Sequence, residues 1–140
     1  MIKIKLLSVG KTHEPWLEEA LQMYIVRMTP WAQFELVWLK DMSHLEKEMQ
    51  KEKHIVVLDA MGKSFDSIGF SEWFFKEVEM AGSRLTFVIG PAMGLPLAIK
   101  EKASCISFSK LTFTHQLVRL ILLEQLFRAF EIRKGSAYHK

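Results

Sequence analysis

Three observations predict a single α/β domain over residues 1–140, built on a parallel-type sheet with helices on both faces. Strand-like and helix-like stretches alternate along the whole chain. Two of the strand-like runs, residues 54–60 (HIVVLDA) and 84–90 (RLTFVIG), are almost continuously apolar, as strands covered on both sides are. The connections are short, and no Pro/Gly/Ser-rich linker or internal repeat interrupts the alternation.

A chain of 140 residues is long enough to bury a core of its own. With 49% hydrophobic and 25% charged residues it has an ordinary globular composition, which excludes a disordered chain. The balance of 19 basic against 16 acidic residues gives +3, compatible with an RNA partner but too mild to indicate one. Cys105 is alone, so it forms no internal disulfide and reads as a small hydrophobe in an apolar run. MIKIKLLSVG is too short and too alternating for a signal peptide, and nowhere do about 18 uncharged apolar residues follow one another. A cytoplasmic protein without membrane contact is expected.

Ile2, Ile4 and Leu6 alternate with Lys3 and Lys5, which predicts a first strand with one polar face or an exposed end. Gly10-Lys11 in the following turn lacks the spacing of a phosphate loop. Thr12 or His13 is expected to cap a helix with Pro15 near its start and an apolar stripe of Trp16, Leu17, Ala20, Leu21, Tyr24 and Met28. Phe34, Leu36 and Trp38 predict a second strand. Ser43 is expected to open a charged surface helix buried along Leu45 and Met49. After the strand at 54–60, Gly62 marks a turn, Ser71 the cap of the next helix, and Gly82 its end. The strand at 84–90 leads into the loop PAMG, a helix LAIKEKA (97–103), a short strand CISFS (105–109) and the loop KLTFT (110–114).

In open parallel sheets ligands bind outside the carboxyl ends of the strands, which directs attention to Leu58-Asp59, the loop after Ile89 and the loop after Phe108. Gly90 and Gly94 would let a ligand approach the backbone closely, although an ordinary strand-to-helix turn explains them about as well. No dinucleotide fingerprint is present, which disfavours a nicotinamide enzyme. Leu111 and Phe113 make 110–114 unusually apolar for a loop. They suit an adenine-like ring, which needs an apolar sandwich and an edge of backbone polar groups, or they plug the core.

From 117 to 130 the helix LVRLILLEQLFRAF is apolar on nearly its whole circumference, so it must be covered on more than one side. A second subunit related by a two-fold axis is the expected cover, giving a homodimer through this helix. Arg119 sits among leucines and must find a carboxylate, a cluster of carbonyls or a ligand. Glu124 and Arg128, four residues apart, form either a surface ion pair or part of a site. The tail GSAYHK reads as a frayed end or as a small RNA-reading cluster.

FVIGPAMGL, SKLTFTHQLVRLILLEQLFRAFEI and the terminal AYHK, together with MIKIKLLSVGK and IVVLDAMGK, resemble the RlmH family of SPOUT-superfamily methyltransferases over nearly the full length. The resemblance implies a SPOUT α/β fold with a C-terminal trefoil knot. It also implies S-adenosyl-L-methionine bound in that knot, and a homodimer that methylates N3 of a pseudouridine in large-subunit (23S) ribosomal RNA. Carried over position by position, the cofactor contacts are Leu58, Gly90, Gly94 and the run Ser109, Lys110, Leu111, Thr112, Phe113 and Thr114. The catalytic positions are His115, Arg119, Glu124, Arg128, Tyr138 and His139. Three features depart from the family pattern: Pro91 replaces a second glycine, Thr114-His115-Gln116 replaces Pro-His-Pro, and Lys140 replaces an arginine. Of the two histidines, His139 is the first candidate for the base that removes the N3 proton. Arg119 and Arg128 are the candidates to hold phosphate or the nascent anion. The five histidines are scattered without ligand spacing, so no metal is expected.

Overall fold

The computed structural model describes residues 1–11, 14–91 and 93–140. Its elements are β1 (Ile2–Val9), α1 (Pro15–Arg27), β2 (Ala32–Leu39), α2 (Met42–Gln50), β3 (Ile55–Ser64), α3 (Ser67–Met80), β4 (Arg84–Ile89), α4 (Leu97–Lys100), β5 (Ser104–Ser107) and α5 (His115–Lys134). The strands pair in the order β2-β1-β4-β3-β5, every neighbour parallel.

Alternation along the strands divides the core in two. Ile4, Leu6, Leu85, Phe87 and Val56 meet α1, α3 and α5 on one face. Leu7, Val57 and Val88 meet Leu45 and Met49 of α2 and Ile99 of α4 on the other. Of the two lysines expected on the polar side of β1, Lys3 is exposed. Lys5 lies partly buried and pairs with Glu52 at 2.7 Å.

Helix starts differ from expectation by a few residues, because the better cap lies upstream. Asp41 rather than Ser43 caps α2, accepting from the His44 amide at 3.0 Å. Asp66 rather than Ser71 caps α3, accepting from the Gly69 amide at 2.7 Å. Ser71 is buried inside that helix, and its hydroxyl donates to the Ala129 carbonyl of α5 at 3.0 Å. Thr12 and His13 lie outside the described residues, and the residue before α1 is Glu14, which makes no side-chain cap. Trp16 belongs to the expected apolar stripe of α1 yet is 57% exposed.

β3 runs past its apolar stretch, and the ladder to β5 shifts register between Leu58 and Lys63. Gly62 thus lies within the strand rather than at a turn. A Cβ there would stand 2.7 Å from backbone atoms of Cys105 and Ile106. Gly62→Ala is expected to force β5 outward and lower the unfolding free energy by about 3 kcal/mol. Urea denaturation measures this, and an unchanged midpoint would contradict it.

Thr114 caps α5 with its side chain, and Gly135 ends it in the left-handed conformation at φ 78°. The chain itself covers most of this helix. Phe127 meets Tyr24 and Trp31 on the α1 side, while Phe130 lies edge-on to Phe74 and Phe75 of α3. Apolar circumference alone therefore does not require a second subunit. What stays uncovered is narrower: Leu117 on α5, with Trp16, Met23 and Val26 on α1.

Candidate active site

Where β3, β4 and β5 end, the loops enclose a cleft of about 320 Å³. Of the residues carried over as cofactor contacts, Leu58, Gly90, Gly94, Ser109, Leu111, Thr112 and Phe113 line it. Lys110 and Thr114 do not, and the Thr114 side chain is committed to α5. Leu111 is 71% exposed and Phe113 37%, so neither plugs the core. A Cβ on Gly90 would fall 2.8 Å from Leu95 Cγ, and Gly94 has φ +80°, so both glycines are needed for the shape of this loop. Ala92 lies outside the described residues. An ion pair missed in the sequence also lines the cleft: Lys100 Nζ stands 3.2 Å from Asp59 Oδ2. Its partners are 41 residues apart and nothing in their local pattern joins them.

His115, in the first turn of α5, borders the cleft. Burial, and secondarily the Arg119 charge, hold its imidazole below the ordinary value of 6.5, so it is neutral at pH 7. The folded protein binds this proton less readily than the unfolded chain. Stability from this group is therefore complete above about pH 6.5 and is lost as pH falls through its lowered folded-state value. NMR titration should place His115 below an exposed imidazole, and His115→Gln should flatten the stability profile in that window. A midpoint at or above 6.5 would contradict this.

Arg119 is fully buried and turned away from the cleft, toward the end of β1. Its Nε donates to Ser8 Oγ at 2.9 Å, and its Nη2 to the carbonyls of Val9 and Gly10 at 3.1 and 2.6 Å. Its guanidinium lies 4.0 Å from the Trp38 ring centre. Burial lowers its pKa to about 10, which leaves it cationic at neutral pH. Among its described contacts, of the three kinds of partner open to it, the carbonyl cluster is present, and these bonds tie α5 to the end of β1.

Glu124, Arg128, Tyr138 and His139 converge. Arg128 Nε donates to Glu124 Oε1 at 2.9 Å, the Tyr138 hydroxyl donates to Glu124 Oε2 at 2.6 Å, and Arg128 Nη1 stands 3.1 Å from His139 Nδ1. The guanidinium also lies 4.8 Å from the Tyr138 ring centre. The tail is thus tied to α5 rather than frayed. A guanidinium only donates, so His139 Nδ1 accepts and the ring proton sits on Nε2. Burial and the Glu124 hydrogen bond push the Tyr138 phenol up to about 12, so it stays a donor. The Glu124 hydrogen bond likewise raises Arg128 above its usual value.

The cluster does not reach the cleft of its own chain. Glu124 is nine residues beyond His115, about 13 Å along the helix axis, and none of the four residues lines the cleft. A second cavity of about 390 Å³, next to His139, lies between α3 and α5 and shares Ser107 and Phe108 with the cleft.

The family model described as "Predicted SPOUT methyltransferase" matches residues 2–139. The chain belongs to the SPOUT methyltransferase family. Among SPOUT relatives, a protein of Protochlamydia amoebophila is 51% identical over 140 residues, covering both chains completely. One from Streptococcus uberis is 38% identical over 160 residues, covering 99% of this chain and all of its own. Both are named "Ribosomal RNA large subunit methyltransferase H". A solved structure, a probable methylase family protein from Haemophilus influenzae, superposes on 98% of this chain and 70% of its own. Its TM-score is 0.61 at 12% identity, a likeness of fold alone.

Proposed function

We propose that this SPOUT protein transfers a methyl group from S-adenosyl-L-methionine to N3 of a pseudouridine in large-subunit (23S) ribosomal RNA, acting as a homodimer on ribosomes in the cytoplasm. The observation that carries the reading is one chain holding two half-sites: an apolar cleft edged by loop backbone, and an acid–arginine–tyrosine–histidine cluster on α5 and the tail. Relatives matched from end to end and named for this activity support it.

When bound, the cofactor supplies an electrophilic methyl group on a sulfonium. The cleft suits it: Leu111 and Phe113 offer apolar faces, the irregular backbone of 109–114 offers an edge of polar groups, and Gly90 and Gly94 allow close approach. A neutral His115 adds no further positive charge to a cleft in which Lys100 is already paired with Asp59. In the cluster, Glu124 fixes Tyr138 and Arg128, so the phenol ring and the guanidinium are held ready for the acceptor base. His139 accepts the N3 proton at Nδ1 once Arg128 leaves that atom. The freed guanidinium then faces the nascent anion, so one movement uncovers the base and supplies the compensating charge.

Two-subunit assembly follows from the separation of the half-sites, since a partner's cleft can face this chain's cluster across a two-fold axis. The uncovered Leu117, Trp16, Met23 and Val26 are the surface for it. The trefoil knot implied by the resemblance belongs to the same reading. It is consistent with β5 lying at one edge of the sheet while α5 returns across the face to α1.

The test is transfer of labelled methyl to ribosomes lacking the modification, with the nucleotide located by mass spectrometry. Label at N3 of a 23S pseudouridine is expected. Label in another RNA would overturn the substrate assignment, and no label with no cofactor binding would overturn the enzymatic reading.

A further inference from the structure

The second cavity sits at the carboxyl edge of the sheet, on the far side of Phe108 from the cleft. Phe65, Phe70 and Phe108 give it flat apolar walls, and Asp66, Gln125 and His139 place polar groups in it. We propose that this cavity holds the acceptor base and that Asp66 reads the N1–H by which pseudouridine differs from uridine. The inference rests on the methyltransferase reading above and adds to it the residues that select the base.

The hydrogen-bond inventory matches. Asp66 Oδ1 is occupied by the Gly69 amide, while its other carboxylate oxygen takes no hydrogen bond among the described residues. Gln125 is fixed at both ends: its oxygen accepts from Ser67 Oγ at 2.9 Å, and its nitrogen donates to Glu124 Oε1 at 3.3 Å. One amide N–H is left to donate. His139 lines the same cavity and is the proposed acceptor of the N3 proton. The cavity thus offers one acceptor and one donor beside aromatic faces. Pseudouridine presents N1–H next to the C2 carbonyl, with N3–H and the C4 carbonyl beyond. Asp66 and Gln125 line the same cavity, and Ser67, next to Asp66 in the chain, holds the Gln125 amide, so one acceptor and one donor are available for N1–H and C2=O. The N3 edge then remains toward His139. Asp66 is exposed in the free protein; a bound uridine, with a C–H where pseudouridine carries N1–H, would cover its carboxylate without offering it a partner. Sites built to hydrogen-bond a substrate group discriminate strongly against analogues that lack it.

Asp66→Asn separates this role from the capping of α3. The asparagine oxygen still caps the helix, but its NH₂ places a donor where N1–H needs an acceptor. Methyl transfer is measured on ribosomes carrying pseudouridine at the target and on ribosomes from cells lacking the pseudouridine synthase, which carry uridine. The wild type is expected to prefer pseudouridine. In Asp66→Asn, kcat/KM on pseudouridine should fall by at least about tenfold with little change on uridine, at unchanged thermal stability and cofactor affinity. A pseudouridine-to-uridine ratio that does not change overturns the proposal, whether both rates fall together or neither does, as does a wild type with no preference. Failure of the cofactor-cleft reading would show separately, as absence of calorimetric cofactor binding by the wild type.

Discussion

Arg128→Ala is expected to lower the single-turnover rate of methyl transfer by about two to three orders of magnitude, the scale seen when a group that positions and stabilises developing charge is lost. Arg128 is the member of the cluster that touches the other three: it donates to Glu124, meets His139 Nδ1 and lies against the Tyr138 ring. Without it the tail keeps the Tyr138–Glu124 and Ser136–Glu131 hydrogen bonds and the Tyr138–Phe127 ring contact, but His139 loses the contact that orients it. The exposed part of such a pair stabilises the fold by little, roughly 0.3–0.5 kcal/mol, so thermal stability should barely move. Arg128 does not line the cleft, so cofactor affinity by calorimetry should stay within about twofold. An unchanged rate, or a rate loss fully explained by weaker cofactor binding, would contradict the assignment.

Arg119→Met is expected to act on stability instead, lowering the unfolding free energy by about 3–5 kcal/mol. The substitution removes charge-assisted hydrogen bonds to Ser8, Val9 and Gly10 and the contact with Trp38. It leaves Ser8, which is fully buried, without that partner. The apolar volume of methionine offsets only part of this. Lysine should not rescue, because a single ammonium cannot reproduce the planar fork that serves Nε and Nη2 at once. Chemical denaturation of both variants checks the expectation. A loss under about 1 kcal/mol in Arg119→Met would show that the guanidinium is not the clamp between β1 and α5.

Much of the fold was legible because periodicity reports burial. The apolar run at 84–90 became a strand buried on both faces, the run at 54–60 a strand buried at Val56 and Val57, and the charged segment after Asp41 a helix buried only along Leu45 and Met49. What escaped depended on contacts distant in sequence. Gly62 looks like a turn residue until β5 is packed against its α-carbon. Ser71 looks like a cap until α5 offers it the Ala129 carbonyl. Arg119 was legible as a buried cation, but its choice among carboxylate, carbonyl and ligand depends on where β1 ends, more than a hundred residues away. The helix 97–103 shortened to Leu97–Lys100. For the site, strand-end logic found the cleft, whereas the meeting of Tyr138 and His139 with Glu124 and Arg128 needed the chain to fold the tail back along α5.

In the proposed function one chain supplies the cofactor cleft and its partner the acceptor-side cluster. This arrangement is tested by mixing two inactive variants under conditions of subunit exchange: Gly90→Val, which closes the cleft by driving a side chain into Leu95, and Arg128→Ala, which dismantles the cluster. Mixed dimers contain one site in which both halves are intact, so methyl transfer to ribosomes is expected to return to about a quarter of the wild-type rate, as random pairing of equal amounts dictates with one working site in half of the dimers. No recovery, with mixed dimers shown to be present, would mean that cleft and cluster must come from the same chain.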